Sequence, residues 1–249
     1  KTLQDLSHKE IKLNLKNNKK SIVWAKINGS VKNKNFSYPV KVEKKEFDTE
    51  FFINKKKYNE KHLSNLINKT FVIGGKLLID KPIIVPKNYN LTIKPGSELI
   101  FKNKSYIYLN HGNLILDGND KQIVLKTNEE YWGGIYVNNA PGISKINNTK
   151  IISIKNFEHE GIFLTGAVNF YRSNIEIFNT TIIDNKSEDA LNIIRSNFKI
   201  KNTLIKDTLS DGIDSDFSNG LIKNTFFKNI GGDAIDTSGS NVTIVDTTI

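Results

Sequence analysis

Three aspartates, Asp189, Asp211 and Asp233, recur at one constant interval. A second series, Asn169, Asn192, Asp214 and Asp236, keeps that interval to within a single place. Two places further on come Tyr171, Ile194, Asp216 and Ser238, and then Arg172 and Arg195, the only arginines in the chain. If one interval is one turn of a repeating structure, Asp189, Asn192, Asp211, Asp214, Asp216, Asp233 and Asp236 gather on one face. Carboxylates stacked so closely repel, which raises pKa values or demands a cation. An oxygen-rich cluster suits Ca²⁺, with Asp214, Asp216 and Asp236 as ligands. Alternatively, paired carboxylates could serve as general acid and base on a glycosidic bond. Asn169, Asn192, Asp216, Asp236, Tyr171, Arg172 and Arg195 would then contact a sugar or uronate. A purely structural role is also open, because an aspartate at a tight turn accepts backbone N–H bonds.

The interval belongs to a longer repeat. Four segments beginning at Ala167, Ala190, Gly212 and Ala234 align without internal gaps. Ser173, Ser196, Ser218 and Ser240 share one column, and Asn174, Asn197, Asn219 and Asn241 the next. Ile177, Ile200, Ile222 and Ile244 form an apolar column. Asn179, Asn202, Asn224 and Asp246 follow, each with a threonine after it. Ile182, Ile205, Phe227 and Ile249 close the unit. So short a period excludes paired helices and propeller blades. A leucine-rich repeat would need a leucine lattice that is missing here. Apolar and polar residues alternate within each unit, the period of a strand. The runs are short and β-branched, with Asn, Gly, Asp and Ser between them. Each unit therefore reads as three short strands joined by tight turns, and stacked units bury one continuous column. Alternation turns Val168, Leu191, Ile213 and Ile235 inward, and Asn169, Asn192, Asp214 and Asp236 outward. Repeated asparagine at a turn suits a ladder of side-chain amides.

These units resemble coils of a right-handed parallel β-helix of the pectate-lyase-like type. Upstream stretches agree: Leu91–Phe101, Gly112–Gly118 and Trp132–Val137 are similar to the opening coils of such helices. The resemblance covers about residues 70–249 and implies fold more than activity, since the architecture serves lyases, hydrolases, tailspikes and adhesins. A narrower resemblance joins Ser187–Ser196 and Gly231–Asp236 to the β-helix regions that accompany CotH-type, spore-coat-protein-H-like proteins. Ser210-Asp211-Gly212-Ile213-Asp214 also resembles the Asp-Gly motif of polygalacturonase-like hydrolases. That likeness implies catalytic roles for Asp211, Asp233 and Asp214. Asp233 falls where the second member of an Asp pair belongs, but Gly232 stands in place of the first.

Outside the repeat, Ser21–Ile27 and Phe36–Val42 read as strands about a turn containing Asn28-Gly29-Ser30, and Phe47–Ile53 as a third. Leu63, Leu66 and Ile67 give Lys55–Lys69 a helical spacing, suited to capping the first coil. Glu158-His159-Glu160 reads as an exposed polar loop. His8, His62 and His111 stand apart without ligand spacing, and Trp132 reads as core or rim. The chain stops in mid-coil at Val245–Ile249, which predicts that further coils or a partner domain continue it.

Composition narrows the classes. In 249 residues, 38% hydrophobic and 25% charged, there is apolar material for a packed core. Cysteine is absent, which removes disulfides, thiolate zinc and cysteine nucleophiles. No apolar run approaches the roughly 20 residues of a membrane-spanning helix. The net charge of +10 is uneven. Residues 1–130 carry 25 Lys/Arg against 13 Asp/Glu, and the remainder 11 against 13, so the halves are +12 and −2. Nucleic acid is a poor partner for the basic half, which holds no arginine and no recognition motif.

The sequence thus predicts an all-β chain. A small β-rich module with a capping helix (1–68) precedes a right-handed parallel β-helix (69–249), a solenoid of about 22 residues per coil. The expected function is a secreted or cell-surface protein that binds polysaccharide, with or without cleavage as a lyase or glycoside hydrolase. The alternative is a non-catalytic adhesin, tailspike-like or structural solenoid, with Ca²⁺ as its stabilising ion.

Overall fold

A computed structural model of the chain describes residues 22–31, 34–43, 63, 65–102, 104–156, 158–159, 162–163 and 165–249. The chain forms two compact units, Lys1–Phe52 and Ile53–Ile249. In the first, strands Ile22–Val31 and Lys34–Glu43 pair antiparallel from Ile22↔Glu43 to Val31↔Lys34. Asn28, Gly29 and Ser30 lie inside the first strand, opposite Ser37, Phe36 and Asn35, and form no turn. Ladder pairing here overrides the local turn preference of Asn-Gly. The expected strand Phe47–Ile53 falls outside the described residues, as do His8 and His62.

The second unit is a parallel β-solenoid of about seven turns with about 23 residues per turn, and its described residues contain no helix. Three sheets run along it. One has nine strands, from Leu66–Ile67 to Asn241–Val245. Another has seven, from Lys76–Ile79 to Phe226–Lys228. The third, here the site sheet, has seven: Ile83–Ile84, Ile107–Asn110, Ile135–Asn138, Gly166–Tyr171, Asp189–Ile194, Asp211–Asp216 and Ile235–Ser238. The two coils between Ile107 and Gly166 are longer than those that follow, and their corners take up the extra chain.

The capping helix expected over Lys55–Lys69 is corrected at its described end. Leu66–Ile67 is a strand, antiparallel to Thr70–Ile73. Asn68 and Lys69 have φ of 46° and 58°, which no α-helix tolerates. The open edge of the first coil requires cover, and a short strand supplies backbone partners that a helix cannot.

The core is the stack of inward columns. Ile177, Ile200 and Ile222 are fully buried and in register, as are Val168, Leu191 and Ile213. Trp132 is 1% exposed, stacks on Phe101 at 4.1 Å, and donates Nε1–H to the Ile152 carbonyl at 3.0 Å. Polar columns line the corners. Asn179, Asn202 and Asn224 adopt φ of 48°, 52° and 48° and form an amide ladder. In it Asn202 Nδ2 donates to Asn179 Oδ1 at 3.2 Å, and Asn224 Nδ2 to Asn202 Oδ1 at 3.3 Å. The threonines that follow, Thr180, Thr203 and Thr225, are buried and donate to the carbonyl two places back.

The serine column works differently. The backbone N–H of Ser173 donates to Ser196 Oγ at 2.9 Å, that of Ser196 to Ser218 Oγ at 3.1 Å, and that of Ser218 to Ser240 Oγ at 2.9 Å. Each hydroxyl thus satisfies the N–H of the preceding coil, where a buried orphan would be costly. Ser196→Ala leaves the Ser173 N–H without a partner. We expect a loss of ~1–3 kcal/mol in urea unfolding, against less than ~1 kcal/mol for the exposed Asn197→Ala.

Candidate functional site

The site sheet places the aspartates by register. Asn169, Asn192, Asp214 and Asp236 pair across four successive strands, as do Tyr171, Ile194, Asp216 and Ser238. Asp189 pairs with Asp211 at the head of their strands. Neighbouring strands lie about 4.8 Å apart, so identical positions touch.

Exposure grades along the stack. Asn169 is 7% exposed and Asn192 3%, whereas Asp214 is partly covered and Asp236 open. The two asparagines therefore face outward from the core yet are buried, and their amides are engaged within the protein. Asn169 Nδ2 donates to the Gly166 carbonyl at 2.6 Å. Asn192 Nδ2 lies within bonding distance of Asp189 Oδ2 (2.8 Å), Thr165 Oγ1 (2.9 Å) and Asp214 Oδ2 (3.1 Å). An amide has two N–H groups for these three oxygens.

Asp189 is 2% exposed. Burial pushes its carboxyl above the usual range, aided by the negative charges of Asp211 and Asp216. Hydrogen bonds from Asn192 and Thr165 oppose the rise. Asp214 is pushed up to about 7, first by burial and then by repulsion from Asp189, Asp216, Asp236 and Asp211. It carries a proton for much of the time near neutral pH.

A different trio converges in space. Oxygens of Asp211, Asp233 and Asp236 lie within 4.8 Å of one another. Of the expected metal set Asp214, Asp216 and Asp236, only Asp236 belongs to this trio. Two oxygens on one Ca²⁺ stand at most about 5 Å apart, so the spacing fits that ion. Asp211 Oδ1 already accepts the Asp233 N–H at 2.8 Å and the Ser210 hydroxyl at 3.0 Å. These bonds also explain Gly232. A Cβ at that position would overlap Asp211 Oδ1 and stand 2.8 Å from Ser210 Oγ. The missing member of the Asp pair would therefore displace the Asp211 carboxylate as it sits here.

The arginines lie on the corner that follows the site sheet, both exposed. The Arg172 guanidinium rides over the Tyr171 ring, 5.4 Å from its centroid, and Arg195 over Phe217 at 5.7 Å. Phe217 is 63% exposed and Tyr171 36%. Sequence reasoning passed over Phe217, although it lies in the column of Arg172 and Arg195. Glu158–His159 forms a short strand antiparallel to Ile162–Phe163, where the sequence suggests a loop. His111 Nδ1 is 2.8 Å from Asn110 Oδ1 and away from the acidic face.

No protein-family model, no curated protein and no solved structure matches this chain.

Asp214 titrates near 7 when folded, against 3.8 for the ordinary group. The folded protein then holds a proton that the unfolded chain has released, so its contribution is full below about pH 4. That contribution falls away as pH rises through 7. Asp214→Asn keeps an oxygen for Asn192 and removes the charge. We expect this variant to melt ~2–4 °C above the wild type at pH 8 and with little difference at pH 4, by thermal circular dichroism. An equal shift at both pH values would show that Asp214 does not titrate in this range.

Proposed function

We propose that the solenoid is a secreted or cell-surface protein of the right-handed, pectate-lyase-like kind. It binds polysaccharide along the site sheet, through Asp214, Asp216 and Asp236, with Asn192 holding the strand beneath them. One observation supports this most directly. The sheet offers carboxylates on two successive coils, about 4.8 Å apart, beside an exposed aromatic and guanidinium rim. A polymer of short repeat meets equivalent groups at successive steps.

Cleavage is the further step of this reading. Asp214, pushed up to about 7, has a proton to give to a departing glycosidic oxygen near neutral pH. Exposed Asp233 and Asp236 supply carboxylates on the next coil. Asp211, fastened to Ser210 and the Asp233 N–H, is better suited to hold that turn than to move protons. The second reading is a structural or adhesive solenoid whose trio Asp211, Asp233 and Asp236 takes Ca²⁺ for stability, and the convergence of those oxygens favours it.

A panel of acidic and neutral polysaccharides, with and without Ca²⁺, separates the two. The polysaccharide reading expects binding that falls about tenfold or more in Asp214→Asn/Asp236→Asn with the β-sheet circular dichroism retained. New reducing or unsaturated ends that vanish in Asp214→Asn would mark cleavage. No binding to any glycan, together with a melting temperature raised by Ca²⁺ and not in Asp233→Asn/Asp236→Asn, would overturn it in favour of the structural reading.

A further inference from the structure

Corners of the regular coils turn through one residue in the left-handed region. Asn or Asp occupies twelve of the nineteen non-glycine positions with positive φ among the described residues. That is the expected chemistry, because a short polar side chain bonds locally and tolerates the conformation. The corner after the site sheet departs from it. Its column reads His111, Asn139, Arg172, Arg195, Phe217 and Gly239, with φ of 57°, 52°, 47°, 52°, 49° and 63°. Backbone bonds establish the column: Arg172 N–H donates to the Ile194 carbonyl, Arg195 N–H to Asp216, and Phe217 N–H to Ser238.

A bulky residue with positive φ is an outlier, and such strain persists where something else requires the side chain. Packing does not require these three. All are exposed, and Phe217 at 63% is more open than Phe226 at 53% or Tyr171 at 36%. Neither guanidinium has a carboxylate partner among the described residues. Each instead faces an aromatic ring, which leaves its N–H edge for an acceptor. Gly239 lies beside the Phe217 ring, where a Cβ would stand 2.9 Å from it, and the ring remains largely open to solvent. The result is a rim of two guanidiniums and two rings over three successive coils. Its arginines stand beside Asn169 and Asn192, the uncharged half of the outward stack, and Phe217 follows Asp216 on the next coil.

We propose that this rim is the seat for an acidic glycan. Arg172 and Arg195 pair with oxyanions on adjacent sugars, and Tyr171 and Phe217 take the pyranose faces of a chain lying along the solenoid axis. The inference rests on the polysaccharide reading above and narrows its ligand to anionic sugars, whose charges sit on the arginines because Asp214, Asp216 and Asp236 repel an oxyanion unless a cation bridges them. Carboxylate and sulfate are the two sources of that charge.

Affinity electrophoresis in gels containing polygalacturonate, dextran sulfate or neutral dextran tests it. The wild type should be retarded by at least one charged polymer, and by neutral dextran about tenfold less. Arg172→Asn/Arg195→Asn and Phe217→Asn should each lose retardation about tenfold. The same variants should melt no lower than the wild type, and by ~2–4 °C higher where strain is relieved, because asparagine suits the turn. The control Lys150→Gln/Lys228→Gln removes two charges from another sheet and should bind as the wild type does.

Equal loss in that control, or retardation by dextran sulfate that survives Phe217→Asn, would reduce the effect to net charge and overturn the proposal. Equal binding of neutral dextran, unaffected by the arginine variants, would overturn it and leave the polysaccharide reading standing. No retardation by any polymer would overturn both. Polygalacturonate without dextran sulfate would identify the carboxylate as the recognised anion, and the reverse the sulfate.

Discussion

The coil-to-coil backbone ladder governs everything else in this protein. Each strand of the solenoid gives its N–H and C=O groups to the coils on either side, in register, for most of the length of three sheets. A buried backbone group must be paired, so the register is not negotiable. Once it is fixed, a side chain has no freedom to choose its neighbour. It meets the same position of the next coil, about 4.8 Å away. Apolar residues become a continuous core, serines become N–H acceptors for the coil before, and asparagines become a ladder. Carboxylates in one column must likewise meet carboxylates.

That last consequence is unfavourable, and the protein manages it by grading the column. Like charges directly opposite on neighbouring strands repel. Here the outward column begins with Asn169 and Asn192 and ends with Asp214 and Asp236. The buried end is neutral and the open end is charged. Asn192 stands where the two regimes meet, within bonding distance of both Asp189 and Asp214. It cannot satisfy Asp189, Asp214 and Thr165 with two N–H groups, and burial together with the four surrounding carboxylates raises the Asp214 carboxyl. Burial disfavours the charged form of both Asp189 and Asp214, and both carboxyls are raised.

Columns were legible because the period repeats without gaps from Ala167 onward, and the strand period within each unit identified the sheets. The serine, asparagine and threonine columns all have the contacts their types suggest. The earlier coils, with site-sheet strands starting at Ile83, Ile107 and Ile135, share the fold without sharing the spacing, so motif likeness rather than period revealed them. Depth was not legible. Alternation gives the direction of Asn169 and Asn192 but not what lies over them, and contacts such as Thr165 on Asn192 come from outside the repeat. Local propensity misled at Leu66–Ile67 and at Asn28–Ser30, where strand pairing decided the outcome. Backbone sign was hidden too. A column of Arg, Arg, Phe and Gly shows no common chemistry until φ is known, and only then does it stand apart from the asparagine corners.

The distribution of charge along the axis follows from these facts. In the two coils of Gly166–Tyr171 and Asp189–Ile194, the outward pair is an amide with Tyr171 or Ile194, and the corner is an arginine. In the two coils of Asp211–Asp216 and Ile235–Ser238, carboxylates occupy the sheet and the corner is Phe217 or Gly239. Guanidinium and carboxylate are thus offset along the axis rather than paired across it. Had the sequence placed an arginine at position 217, it would have stood beside Asp216 and offered that carboxylate a local partner. Phenylalanine there offers no charge to pair, although it sits in the left-handed region. A surface organised for its own stability would pair its charges and use asparagine or aspartate at its turns, as the other corners of the regular coils do. The site sheet and its rim do neither, and that departure sets this face apart from the rest of the surface.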